Sequence, residues 1–224
     1  LQDEVTTPNV YWSLLHVIGN GVNRISEIAG RLGLPANRLT RYLAALQDLG
    51  LVRREVSVTA SAPDRCKRGI YQVADPFMRL WFGCVAPFES LLEFGKVREA
   101  ETQMHNRLLA HQAWAFERAA REYVENHAAE LGVAKVGRYW DRTAEVDVVG
   151  TDSRGRPVLA AECKWSDRPA DKAVGIDLDA KVARLWPERL PLLRLAVMCA
   201  GGFTSACKDW APNATPSSSA ATSC

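Results

Sequence analysis

Pro35-Ala36-Asn37-Arg38-Leu39-Thr40-Arg41-Tyr42-Leu43-Ala44-Ala45-Leu46-Gln47-Asp48-Leu49-Gly50 is the stretch whose reading decides the N-terminal fold. Leu39, Tyr42, Leu43, Leu46 and Leu49 recur at the three- and four-residue spacing that aligns one face of a helix. Pro35 opens the segment, where a missing N–H costs nothing, and Gly50 is a helix stop. The opposite face carries Asn37, Arg38, Arg41, Ala45 and Asp48. The pattern predicts a helix buried along one side and presenting arginines on the other.

Upstream, Tyr11, Leu14, Leu15 and Ile18 mark a first helix, broken by Gly19-Asn20-Gly21. Ile25-Ser26-Glu27-Ile28-Ala29 begins a short second helix that ends near Gly33. Downstream, Leu51 to Thr59 alternates as a strand, Ser61-Ala62-Pro63-Asp64-Arg65 turns, and Gly69-Ile70-Tyr71-Gln72-Val73 returns. Three helices and a hairpin, over residues 9–75, are the order of a winged helix-turn-helix, with the third helix as major-groove reader and the hairpin as wing. The candidate DNA-binding residues are Asn37, Arg38 and Arg41 on that helix, and Arg65, Lys67 and Arg68 at the wing tip, where cations meet phosphates. A winged helix used only for protein contacts is the alternative.

Residues 76–96 form an aromatic-rich connector, Asp75-Pro76-Phe77-Met78-Arg79-Leu80-Trp81-Phe82, whose composition suits core packing or domain docking. Residues 97–131 read as one long helix ending at Gly132. Strands are expected over 134–140, 143–149 and 157–165, a helix over 171–186 and a buried apolar strand over 192–199. The chain is therefore expected to be α/β, with an αβββαβ domain over 97–205 following the winged helix. Residues 211–224, rich in Ser, Ala, Thr and Pro, read as a disordered tail.

A length of 224 residues allows one large domain or two small ones, and 47% hydrophobic residues suffice for packed cores without metal or disulfide staples. No apolar run approaches ~18 residues, so a transmembrane helix is not expected. Leu1-Gln2-Asp3-Glu4 has neither a basic nor an apolar signal region, which points to a cytoplasmic protein, and the missing initiator Met suits a fragment of something longer. The cysteines lack disulfide-framework or zinc spacing, and the four histidines are scattered. The net charge of +2 is uninformative, but residues 1–80 hold ten basic against seven acidic residues, so the weak excess lies in the half that looks built to touch DNA.

The candidate chemistry lies further along. Strand alternation sets Glu145 and Asp147 on one face and Val146 and Val148 on the other, while Glu162 and Lys164 share a face of the next strand. Asp147, Glu162 and Lys164 are then expected in one patch. Two carboxylates and a lysine suit metal-assisted phosphodiester cleavage: carboxylate oxygens hold Mg²⁺, with Mn²⁺ as a substitute, and the lysine orients or deprotonates water or offsets phosphate charge. Glu117 lies on a helical stripe with Ala113, Ala120 and Val124, where a carboxylate is out of place. The alternative is a chance Glu-x-Lys pair, solvated or salt-bridged on an exposed strand face, with Glu117 in a core-edge salt bridge to Arg121 or Lys164.

Ile25-Ser26-Glu27-Ile28-Ala29, Arg41-Tyr42-Leu43, Leu49-Gly50-Leu51-Val52, Tyr71-Gln72-Val73-Ala74-Asp75-Pro76-Phe77 and Leu80-Trp81-Phe82 continue into Phe116-Glu117, Arg138-Tyr139-Trp140, Glu145-Val146-Asp147, Glu162-Cys163-Lys164 and Gly202-Phe203-Thr204. In this order, over roughly residues 9–205, the chain resembles the C-terminal portion of an archaeal and bacterial AAA+ ATPase family. In that family a winged helix precedes a nuclease-like domain of the PD-(D/E)XK superfamily. The resemblance implies a restriction-endonuclease-like fold and a Mg²⁺-dependent endonuclease acting on DNA. Its helix glutamate matches Glu117, its second-strand aspartate Asp147, and its (D/E)-x-K triplet Glu162 and Lys164, with Asp147, Glu162 and Glu117 as metal ligands. A non-catalytic DNA-binding or regulatory module of such an ATPase is the other reading. No G-x-x-x-x-G-K-[ST] occurs, so no ATP site is expected in this chain, and an ATPase domain would belong to a longer protein.

Overall fold

The computed structural model describes residues 8–63, 66, 68–188 and 193–210. The chain divides into two compact units, Leu1–Val56 with Ala62–Ala115, and Ser57–Ser61 with Phe116–Cys224.

The first unit begins with α1 (Pro8–Gly19), α2 (Ile25–Leu32) and α3 (Ala36–Asp48), followed by an antiparallel hairpin of β1 (Val52–Glu55) and β2 (Ile70–Val73). The apolar stripes do the folding. Leu14, Leu15 and Ile18 of α1, Ile28 of α2, and Leu39, Leu43 and Leu46 of α3 are buried in one cluster with Val52, Tyr71 and Val73. Tyr42 is half-buried, edge-on to Tyr11 with ring centroids 5.3 Å apart. Leu49 departs from the expected stripe. It caps α3, where the helical turn ends, and is 62% exposed. The tight turn between α2 and α3 depends on Gly33, whose φ of 62° lies in the left-handed region that favours glycine.

Residues 76–93 are helical: α4 (Pro76–Leu80), a π turn (Trp81–Val85), a 3₁₀ turn (Ala86–Phe88) and α5 (Glu89–Glu93). Asp75 caps α4 by accepting the Met78 N–H at 2.8 Å. Phe82 is fully buried in the winged-helix cluster, so the aromatic segment completes that core. The long helix, α6, spans Val97–Asn126 and gives way to turns before Gly132, which has a φ of 60°. The sequence assigned all of α6 to the second domain, whereas the units divide at Ala115/Phe116. Its N-terminal half is tied into the first unit: Arg53 and Arg79 stack on Trp114, and Arg107 bonds Asn20 and Gly83.

The second unit is a four-stranded sheet in the order β3 (Lys135–Trp140), β4 (Glu145–Thr151), β5 (Pro157–Lys164), β6 (Arg194–Cys199). The first three strands are antiparallel. β6 joins β5 in parallel after crossing through α7 (Lys172–Leu185). One face packs Val148, Leu159, Ala161 and Cys163 with Ala120 and Val124 of α6. The other packs Val146, Val149 and Ala160 with Leu178 and Val182 of α7. The result is a layered α/β unit with apolar strands between two helices. Val58 belongs here too: its N–H donates to the Arg138 carbonyl at 2.9 Å and its side chain is buried with Val146 and Val149. β1 therefore stops at Glu55 instead of running to Thr59.

The expected end of the fold at residue 205 was too early. Thr204 caps α8 (Ser205–Asp209) by accepting the Cys207 N–H at 3.1 Å, and Trp210 packs on α7 where Gly175 leaves room for its ring. A Cβ at Gly175 would lie 2.3 Å from that ring. Residues 211–224 lie outside the described residues. Cys66, Cys84, Cys163, Cys199 and Cys207 are free thiols.

Candidate functional site

Two charged regions stand out, one in each unit. In the first, Asn37, Arg38 and Arg41 are exposed on α3, opposite the buried Leu39, Leu43 and Leu46. The Asn37 side chain accepts the Arg38 N–H at 2.9 Å. Neither guanidinium takes part in an ion pair or hydrogen bond among the described residues, so both are available to phosphates or base edges. Arg68 is exposed at the hairpin, while Arg65 and Lys67 lie outside the described residues. Arg54 is folded back on the carbonyls of Pro63 and Cys66.

In the second unit, the β4–β5 ladder runs Thr151↔Pro157, Gly150↔Leu159, Val149↔Ala160 and Val148↔Ala161, then stops. Beyond it the strands take different partners. Glu145 and Val146 pair with Trp140 and Tyr139 of β3, and Glu162, Cys163 and Lys164 pair with Val197, Met198 and Cys199 of β6. Asp147 and Glu162 are the first residues past the last pair, at the opening of a fork. The register against β3 also slips there, from Gly137↔Val149 to Tyr139↔Val146, leaving Asp147 and Val148 opposite the single residue Arg138. This bulge corrects the expected alternation. Val146 lies in the α7-side cluster and Val148 in the α6-side cluster, not on one face, because the extra residue shifts the pleat by one.

Asp147 is half-buried, and its Oδ2 accepts the Cys163 N–H at 2.9 Å across the fork. Burial raises its pKa; the Cys163 N–H opposes that, while the charges of Glu162 and Glu145 add to it. Glu117, on α6, is raised by burial and then by the Asp147 charge, with Arg138 and Arg121 opposing. Glu162 is held on both oxygens, Oε1 by Lys164 Nζ at 3.1 Å and Oε2 by Lys181 Nζ of α7 at 2.7 Å. Burial disfavours the Lys164 ammonium, but the hydrogen bond to Glu162 and the charges of Glu162 and Asp147 prevail and raise its pKa. Glu145 is exposed and paired with Arg138. The Cys163 thiol is pushed up to about 12, first by burial and then by Asp147 and Glu117, so it is no nucleophile at neutral pH.

The four predicted residues are thus linked pairwise by field and hydrogen bond: Glu117 with Asp147, Asp147 with Glu162, Glu162 with Lys164. Among the described residues no three His, Cys, Asp or Glu side chains converge on one point where an ion would sit. Arg121, expected only as a salt-bridge partner of Glu117, makes that bridge at 3.8 Å. It is also 8% exposed, its Nη1 donates to the Asp147 carbonyl at 3.1 Å, and its buried Nη2 has no hydrogen-bond partner among the described residues. Lys181 was missed altogether. Only the α7 crossover brings it to Glu162, and no local spacing signals that.

Comparison with known proteins bears on both units. Residues 13–56 match the IclR helix-turn-helix domain. Residues 81–176 match DUF234, a family described as archaeal and bacterial proteins of unknown function. An uncharacterized protein of Methanocaldococcus jannaschii is 27% identical over 170 residues, covering 73% of this chain. This chain spans 37% of that relative's length. No solved structure matches. The first unit contains a helix-turn-helix domain, and this supports DNA binding. No helix among the described residues is long and apolar enough to cross a membrane.

Proposed function

We propose that this chain binds DNA through α3 and carries, in its second unit, a Mg²⁺-dependent phosphodiester-cleaving site built on Asp147, Glu162 and Lys164 with Glu117 alongside. On this reading the second unit is a restriction-endonuclease-like domain of the PD-(D/E)XK type. The observation that carries it is the fork: Asp147 and Glu162 flank the point where β4 and β5 part, and a bulge sits at Asp147. Bulges that re-aim a side chain recur next to active sites.

Carboxylate oxygens are the donor type that a hard divalent cation takes. Burial and then the Asp147 charge raise the Glu117 pKa, and burial with the charges of Glu162 and Glu145 raises that of Asp147, a repulsion that a cation relieves. Asp147, Glu162 and Glu117 would hold the ion, and the chemistry it supplies is Lewis acidity toward a phosphate oxygen and water. The chain's own residues do the rest. Lys164 stays an ammonium at neutral pH, so it acts as a fixed positive charge toward phosphate rather than as a base. Arg121 Nη2 is a buried donor that a phosphate oxygen would satisfy.

Glu162 favours a second reading. With both its oxygens taken by Lys164 and Lys181, the cluster neutralises itself, and the unit serves as a non-catalytic module that binds DNA or, in a longer protein, an ATPase domain. A plasmid-nicking assay separates the two. Wild type with Mg²⁺ or Mn²⁺ is expected to convert supercoiled to open-circular DNA, and Asp147→Asn and Lys164→Ala to lose at least ~10²-fold of that rate. Retained DNA binding with no nicking in either metal leaves the module reading.

A further inference from the structure

A cavity of about 190 Å³ opens in the first unit, lined by Asn20, Arg79, Cys84, Arg107 and His111 together with glycines and Ala110. It shares no residue with the α3 face or the fork. Among the described residues no Asp or Glu lines it. Its construction starts from Gly19 and Gly83, which let the end of α1 press against the π turn: a Cβ at Gly19 would lie 2.4 Å from the Phe82 Cβ, and one at Gly83 would lie 2.9 Å from the Gly19 carbonyl.

Arg107 is set in this frame by neutral oxygens. Its Nη1 donates to Asn20 Oδ1 at 2.7 Å and to the Gly83 carbonyl at 2.8 Å, and the Phe88 ring lies 5.3 Å from its Cζ. Asn20 is itself oriented by donating Nδ2 to the carbonyls of His16 at 2.8 Å and Phe82 at 3.2 Å, which aims its oxygen at the guanidinium. The guanidinium is therefore positioned while none of its charge is cancelled, and Nε and Nη2 have no acceptor among the described residues. The neighbours register the charges of Arg79 and Arg107, His111 that of Arg79 and Cys84 those of both. His111 is held low by burial and then by Arg79, so it is a neutral imidazole at pH 7. The Cys84 thiol is raised by burial against the opposing pull of Arg107 and Arg79. Two guanidinium groups, a neutral imidazole and a neutral thiol thus face one small space with no carboxylate among them.

We propose that this cavity binds a small oxyanion, a carboxylate or a phosphate group, with Arg107 as its anchor. The planar guanidinium fork suits either group, and its hydrogen bonds to an anion are charge-assisted. The volume is below the ~300–1,000 Å³ of pockets for drug-sized ligands, which limits the occupant to a small molecule or a single anionic group. The assignment is independent of the nuclease reading, because no residue is common to both sites.

Titration of inorganic phosphate and of malonate, separately, into the full chain at constant ionic strength tests it, read by calorimetry and by amide shifts in ¹⁵N-labelled protein. Saturable binding that moves the Gly19, Gly21 and Gly83 amides is expected; phosphate alone, malonate alone or both identifies which oxyanion the site accepts. Arg107→Gln should weaken binding at least about tenfold. Ala110→Asp, an exposed helix position that adds a carboxylate to the lining, should do the same with unchanged circular dichroism, and it keeps the test valid if Arg107→Gln fails to fold. A response that follows ionic strength without saturating, or binding unmoved by Ala110→Asp, overturns the proposal.

Discussion

The exposed face of α3 and the fork between β4 and β5 both gather charge, and they hold it in opposite ways. Arg38 and Arg41 stand in solvent with no ionic partner among the described residues. Water solvates them at little cost to the fold, and they keep their full charge for a partner. Glu117 and Asp147 are half-buried beside the buried Arg121, where burial and like charge disfavour their ionisation, and Glu162 is half-buried between Lys164 and Lys181. The lesson is that an exposed cationic face asks nothing of the rest of the unit, whereas a half-buried carboxylate group needs counter-charges from several elements. α6 supplies Arg121, β5 supplies Lys164 and α7 supplies Lys181.

That contrast breaks most visibly at Arg121. Arg121→Leu removes a buried cation from beside Glu117 and the Asp147 carbonyl, and should cost about 3 kcal/mol of unfolding free energy, measured by urea denaturation. A loss below about 0.5 kcal/mol would show that the fork does not depend on its cation. On the other side, Arg38→Ala with Arg41→Ala should leave stability within about 0.5 kcal/mol. It should weaken DNA binding and flatten the slope of log affinity against log salt by about 2, since each lost phosphate contact gives up roughly one released counterion. An unchanged salt slope would remove α3 from the DNA interface.

The smallest effect sharpens the comparison through pH. Raised carboxyl pKa values mean that folding takes up protons, so the contribution of Glu117 and Asp147 is fully present below their ordinary values of 4.5 and 3.8 and is lost as pH rises through the raised ones. Asp141 has the opposite sign. The N–H groups of Thr143 and Ala144 and the Thr143 hydroxyl hold its carboxyl down to about 2, so its contribution is present above 3.8 and lost as pH falls toward about 2. Asp147→Asn should therefore raise stability at pH 7 relative to wild type, by under about 1 kcal/mol, and reduce the decline of stability above pH 4. Thermal melts across pH 3–8 read this directly; equal pH profiles for both proteins would show that Asp147 feels no such strain.

Much of the architecture was legible in the residues, for a local reason. The Leu39/Leu43/Leu46 stripe, the glycine stops and the apolar runs of β5 and β6 encode elements through spacings of a few residues, and the αβββαβ order follows from them. Asp147, Glu162 and Lys164 could be named because two adjacent strands carry them. Only the tertiary structure decided how they are held. The bulge at Asp147 arises from pairing with β3 and reverses the alternation, Lys181 arrives through the α7 crossover, and Arg121 reaches the Asp147 carbonyl from another element. Leu49 and Val58 make the same point in the cores: a perfect helical spacing left Leu49 exposed at a helix end, and a residue read as hairpin is buried beside β3 and β4. Local propensity is written in neighbours along the chain, whereas burial, register and charge compensation depend on residues far apart in sequence that meet only when the layers pack.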